Sequence, residues 1–138
     1  MSTDIKFPLE LVIKGVPLSL GASSGSRQRW QARLASVARQ ELQEGYWLTS
    51  ARVAATIFYF PDAAMEGDID NIVKPILDAF NKVVYFDDRQ VGRLLVQNFE
   101  PGRTFTFEQP TPRLLECAAM HGPRTYIRCD DETSLGVL

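Results

Sequence analysis

The apolar positions of the chain change period several times, and those changes mark out its elements. Residues 5–13, IKFPLELVI, read as a strand, with Pro8 placing it at a sheet edge. Residues 14–26 form a loop rich in Gly and Ser, where Ser24 or Ser26 can cap a helix. That helix is predicted from about Arg27 to Leu42. Trp30, Leu34, Val37, Ala38 and Leu42 fall in one stripe at helical spacing, Arg29 and Arg33 lie outside it, and Gly45 ends it. Residues 51–60, ARVAATIFYF, are β-branched and aromatic, and read as a central strand closed by Pro61. After an acidic loop, Ile72, Val73, Ile76, Leu77 and Phe80 predict a second helix over Asn71 to Asn81. Pro75 has no N–H to give, so its first turn should be loose or kinked near Lys74.

Shorter elements follow. Val83 to Phe86 reads as a strand, Asp87-Asp88 as a turn, and Gln90 to Phe99 as another strand. Residues 103–108 read as a strand, Leu114 to Met120 as a short helix, and Thr125 to Cys129 as a last strand. Residues 130–138 read as a frayed tail. Phe58, Tyr59, Phe60 and Trp30 are assigned to the core, and Trp47 to a loop that could serve a dimer interface. The run Leu94-Leu95-Val96 points to a strand buried on both faces, or with one face at a dimer contact. The expected fold is α+β: one small domain over residues 1–138, a mixed sheet with two main helices packed on one face, and a homodimer.

Composition narrows the class. The chain has 138 residues, 45% hydrophobic and 23% charged, which suits one globular domain. No stretch approaches the ~18 apolar residues of a transmembrane helix. Residues 1–10 lack the apolar run of a signal peptide, so a cytoplasmic protein is expected. Cys117 and Cys129 do not form a CxxC pair and are expected to stay reduced. With one histidine, His121, they fall short of a structural zinc site, and His121 reads as an ordinary loop residue. The net charge of −2 argues mildly against nucleic acid, but it hides a pattern. Residues 25–40 hold Arg27, Arg29, Arg33 and Arg39 and no acid; residues 61–70 hold Asp62, Glu66, Asp68 and Asp70 and no base.

The chemistry concentrates in residues 66–91, EGDIDNIVKPILDAFNKVVYFDDRQV. If the backbone is extended at Asp68-Ile69-Asp70, both carboxylates point one way and Ile69 anchors in the core. Asp70 also falls where a helix N-cap belongs, and Lys74 follows one turn later, with Asp78 a turn beyond. Such carboxylates suit Mg²⁺, a hard cation that commonly takes one or two of them and leaves its other positions to water and phosphate. Bound there, it activates water for attack on a phosphodiester, with Asp87 or Asp88 able to add a third carboxylate. The same residues are equally readable as a surface loop, a helix cap and a turn. Arg27, Arg29 and Arg33, with Arg89 and Arg93 nearer the chemistry, are the candidates for DNA phosphate contact.

Two runs decide between these readings: Asp68-Ile-Asp70-Asn71-Ile-Val-Lys74-Pro75-Ile-Leu-Asp78-Ala, and Val83-Val-Tyr-Phe-Asp87-Asp88-Arg89-Gln90-Val91. They resemble the RusA family of Holliday-junction resolvases, which carries a D-x-D-N-x-x-K-P-x-x-D-A pattern followed by D-D-x-Q-V. The resemblance implies a small mixed α/β homodimer of prokaryotic or phage origin. It would cut four-way junctions and related branched DNA with Mg²⁺ (or Mn²⁺ in its place), in recombination and repair. It implies Asp68, Asp70 and Asp88 as metal carboxylates and Lys74 as the catalytic lysine. Asn71, Asp78, Asp87 and Gln90 match the pattern without an assigned role. Gly15-Val16-Pro17 fits the family's G-x-P, but no base follows until Arg27. The alternative is a branched-nucleic-acid-binding protein of the same fold with weak or lost cleavage. An enzyme acting on nucleotides is disfavoured by the lack of a Gly-rich phosphate loop.

Overall fold

A computed structural model describes residues 4–19, 21–65 and 67–132 of the chain. Four strands make one mixed sheet: β1 (Leu9–Lys14), β2 (Val53–Phe60), β3 (Val91–Asn98) and β4 (Arg124–Asp131), in the order β1-β4-β2-β3. β4 is antiparallel to both β1 and β2, while β2 and β3 are parallel. Parallel neighbours need a crossover connection, and here it contains helix α2 (Val73–Ala79). Helix α1 (Ser24–Glu41) packs beside α2 on one face of the sheet. Helix α3 (Pro112–Ala119) covers part of the other face. The class is α+β in a single small domain with the two main helices on one face, as expected; the short helix α3 is added on the other face.

Alternation along the strands builds two cores. Leu9, Leu11 and Ile13 of β1, Val53, Ala55, Ile57 and Tyr59 of β2, and Ile127 and Cys129 of β4 face α1 and α2. They meet Trp30, Leu34 and Ala38 from α1 and Ile76 from α2. On the other face Phe60 and Tyr126 meet Leu114 and Cys117 of α3, with Phe58, Phe99 and Phe107 packed around them. Phe58, Tyr59 and Phe60 therefore belong to the core, as their apolar context predicted. Cys117 and Cys129 are buried free thiols.

Several boundaries differ from the sequence expectation for local reasons. Ser23, not Ser24 or Ser26, caps α1, its Oγ accepting from the Ser26 amide at 3.2 Å. Gly45, at φ 75°, sits in the turn beyond the helix instead of ending it; Leu42 is the C-cap. Residues 83–86 are a turn and not a strand. The amides of Val83 and Val84 both donate back to the Phe80 carbonyl, at 3.0 and 2.9 Å, and Tyr85 keeps only isolated bridges to Thr49 and Asn81. Residues 103–108 form no strand either, because Phe105 and Phe107 fold onto Phe99, with ring centroids 4.5 and 5.3 Å apart. β3 is an edge strand, so Leu94 and Leu95 are exposed (43% and 50%) rather than buried on both faces. β4 continues two residues past Cys129, and Asp130 and Asp131 are paired with Ala54 and Val53 instead of fraying. The rest of the expected tail, residues 133–138, lies outside the described residues.

Candidate active site

Pro75 shapes the segment that carries the acids. The chain winds as a 3-10 turn over Ile69–Ile72 before α2 begins, which is the loose first turn that a proline near Lys74 requires. Pro75 is the third residue of α2, where no N–H has an intrahelical partner to lose. Its carbonyl accepts from Gln31 Nε2 of α1 at 3.1 Å, tying the two helices together. Asp68 is the extended residue before the 3-10 turn (φ −91°, ψ 143°) and makes no side-chain cap bond. Asp70 lies inside the turn, not at a helix N-cap, so the two carboxylates are not the alternating pair of an extended strand. Ile69 does pack against the core, as expected. Asp68 and Asp70 are exposed, and neither carboxylate has a hydrogen-bond or ion-pair partner among the described residues.

Lys74 reaches across from α2 to the second half of the motif. Its Nζ lies 2.7 Å from Asp78 Oδ1 and 2.6 Å from Asp88 Oδ2. Hydrogen bonds from Lys74 to Asp78 first, and to Asp88 second, hold its pKa well above the ordinary lysine value. At neutral pH the group is an ammonium, so it supplies positive charge and cannot accept a proton. The Lys74 side chain is 52% exposed and Asp88's is 19% exposed, which leaves the cation open to solvent over a sheltered carboxylate.

The adjacent aspartates separate into two tasks. Asp87 caps the 3-10 turn Asp88–Gln90, its Oδ1 accepting from the Arg89 amide at 2.9 Å. That bond is the main cause of a lowered Asp87 pKa. Asp88 is the one that faces Lys74. Gln90 closes the turn: its Oε1 accepts from the amides of Phe86 (2.9 Å) and Asp87 (3.2 Å), and its Nε2 donates to the carbonyls of Thr49 (2.8 Å) and Ala51 (3.0 Å). Below the turn, the buried Tyr85 hydroxyl donates to the Leu77 carbonyl at 2.6 Å, and burial pushes its pKa up. Sequence reasoning placed Gln90 in the family pattern without a role, and missed Tyr85 and Gln31. Only Gln90 carried a signal, its place two residues after Asp88.

The donor set suits a hard cation: three carboxylates, two of them without partners among the described residues. It is not a closed cage, because among the described residues no three His, Cys, Asp or Glu side chains gather closely enough to hold an ion. Mg²⁺ tolerates this, since it keeps several waters and binds through one or two carboxylates together with substrate phosphate.

The arginines fall in two places. Arg29 and Arg33 are exposed on α1, on the sheet face that also carries α2 and Lys74, with Arg27 half-buried. Arg33 lies over the Trp30 ring at 6.0 Å. Arg89 is exposed beside Asp87, 3.3 Å from its carboxylate. Arg93 shares the opposite face with Leu95 and Ala54, so β3 does not bring it to the α1 arginines. On that opposite face a groove of about 470 Å³ lies between Phe58, Leu95, Phe107 and Tyr126. It contains none of the candidate catalytic residues.

A search of curated proteins finds no match. The family model for the endodeoxyribonuclease RusA matches residues 22–112. That stretch runs from the loop before α1 to the first residue of α3, and it includes Asp68, Asp70, Lys74, Asp88 and Gln90. No described helix is long and apolar enough to cross a membrane. With more than half of its length matched, and with the two motif halves joined through Lys74 and Asp88, the chain belongs to the RusA endodeoxyribonuclease family.

Proposed function

We propose that this chain is a Mg²⁺-dependent, structure-selective endonuclease that resolves Holliday junctions and related branched DNA as a homodimer. It would serve recombination and repair in the cytoplasm of a prokaryotic cell or of one infected by its phage. The observation that carries the reading is the 2.6 Å contact of Lys74 with Asp88, which gathers residues fourteen apart in sequence into one polar site. Asp68, Asp70 and Asp88 would hold the metal, with Mn²⁺ able to replace Mg²⁺. When bound, the ion supplies an activated water and stabilises charge on the phosphate. Lys74 brings a fixed positive charge to the scissile phosphate, and Asp78 orients it. The exposed arginines of α1 and Arg89 would hold flanking phosphates. Arg93, on the other face, would meet DNA only where the duplex arms wrap past the sheet edge.

Cleavage of synthetic four-way junctions, linear duplex and single strands, with and without Mg²⁺, tests this. The expected result is cutting of the junction alone, and only with the metal. Tight junction binding with no cutting at any metal concentration would instead mark a binding protein of the same fold. Cutting of all three substrates alike would remove the structure selectivity.

A further inference from the structure

Gln90 uses every hydrogen-bonding group of its side chain. An amide has two donors and an acceptor oxygen with two lone pairs, and here all four are engaged at 2.8–3.2 Å. The partners fix its orientation: two amides lie at one end and two carbonyls at the other. The carbonyls belong to Thr49 and Ala51, just before β2; the amides belong to Phe86 and Asp87, just before Asp88. Two further bonds cross the same gap, from the Thr49 amide to the Val84 carbonyl at 2.9 Å and from Arg52 Nη1 to the Arg89 carbonyl at 3.2 Å.

The sheet itself leaves this junction loose. β2 and β3 are regular from Ala54 opposite Arg93 onward, but the register shifts between Val53 and Ala54. Val53 faces Val91, so Gly92 is the extra residue. A Cβ at Gly92 would lie 2.6 Å from Glu132 Oε1, so only glycine fits the bulge without displacing that side chain. Upstream of the bulge, the backbone offers only the Val53–Val91 pair and the isolated Thr49–Tyr85 bridge to place the acidic turn. The Gln90 side chain adds the link to the amides of Phe86 and Asp87, which neither backbone pairing reaches.

We propose that Gln90 is a positioning residue for the nuclease: a two-ended clasp that sets Asp88 against Lys74 by fixing the acidic turn to the segment that starts β2. The proposal rests on the functional reading above. A shift of about 1 Å in a catalytic group can slow a reaction roughly a hundredfold, so a clasp at this point controls rate more than binding.

The test uses the full chain with Gln90→Met, which keeps the volume and makes none of the four bonds, and Gln90→Glu, which keeps the acceptor end only. In single-turnover cleavage of a four-way junction, Gln90→Met is expected to be roughly tenfold to a hundredfold slower at unchanged junction affinity. Gln90→Glu should fall between it and wild type. Amide exchange should rise at Phe86 and Asp87 in Gln90→Met and stay slow in Gln90→Glu. Wild-type cleavage by Gln90→Met, or a loss no larger than its unfolded fraction, would overturn the proposal. So would unchanged exchange at Phe86 and Asp87. Failure of both variants to fold would make Gln90 a folding residue and overturn it equally. If the wild type cuts no junction, the nuclease reading fails by itself, and amide exchange still decides whether the clasp exists.

Discussion

Lys74 acts at the scale of a single charge. Lys74 is open to solvent in both its pairs, with Asp78 and with Asp88, and such pairs are worth at most about 1 kcal/mol each, so Lys74→Ala should lower the melting temperature only modestly. A cation aimed at charge that develops in the transition state is another matter, and its removal should slow single-turnover cleavage on the order of a hundredfold. Lys74→Arg keeps the charge but changes its shape and reach, so it should recover only part of the rate. Full activity in Lys74→Ala would leave the carboxylates as the supported part of the site. Asp70→Asn makes the complementary test. Asp70 is exposed and has no partner among the described residues, so the variant should fold normally, bind junction DNA and fail to cut it. Near-wild-type cutting with Mg²⁺ would remove Asp70 from the metal site. At this scale residue type and spacing marked the candidate acids and lysine, of which the structure brings Lys74, Asp78 and Asp88 together. The sequence was silent on partners brought in from afar. Nothing at Gln90 announces Thr49 and Ala51, and nothing in Asp87-Asp88 says which carboxylate is spent on a cap. Those are settled by backbone geometry.

Among the elements, α1 and the end of α3 carry predictions of opposite kinds. The α1 arginines lie outside its buried stripe, so Arg29→Ala with Arg33→Ala should leave thermal stability nearly unchanged. If both hold phosphate, the slope of log affinity against log salt should flatten by about 1.8, near 0.9 for each phosphate no longer neutralised. An unaltered slope would move the DNA to Arg89 or elsewhere. Arg124 is structural instead. It is buried, donates to the carbonyls of Cys117, Ala118 and Gly122, and lies 4.7 Å from the Phe60 ring. Arg124→Ala should lower unfolding free energy by about 1.5–3 kcal/mol in urea titrations, with cleavage by the folded fraction intact. No change in the urea midpoint would mean that the α3 end holds without it. Periodicity exposed α1, β2 and α3 because each buries a repeating stripe. It failed at residues 83–86 and 103–108, where apolar residues pack through local turns and ring contacts instead of a ladder. It also left Leu94 and Leu95 open between burial on both faces and a dimer contact, and their exposure removes the first, since an apolar run looks the same in a central strand and at an edge.

The whole molecule must present two sites to a four-way junction if it resolves one. A homodimer with two-fold symmetry would do so, each subunit cutting one strand. Mixed dimers of wild type and Asp70→Asn should therefore nick the junction once and leave it unresolved, and full resolution by purified mixed dimers would show that one subunit cuts both strands. The order of the sheet has a further consequence, for the time at which the candidate site can be assembled. β4 is the last strand of the sheet to leave the ribosome, yet it lies between β1 and β2 and pairs with both along its length. Until residue 131 has emerged, β1 has no neighbour and the Leu11–Ile127 and Ile57–Ile127 pairings at the centre of the sheet cannot form. The acids and the lysine are translated well before that point, but the platform that holds them is completed from behind. If the proposed nuclease reading holds, a nascent chain halted short of β4 would carry the candidate acids and lysine without the sheet that positions them, and is expected not to cut DNA.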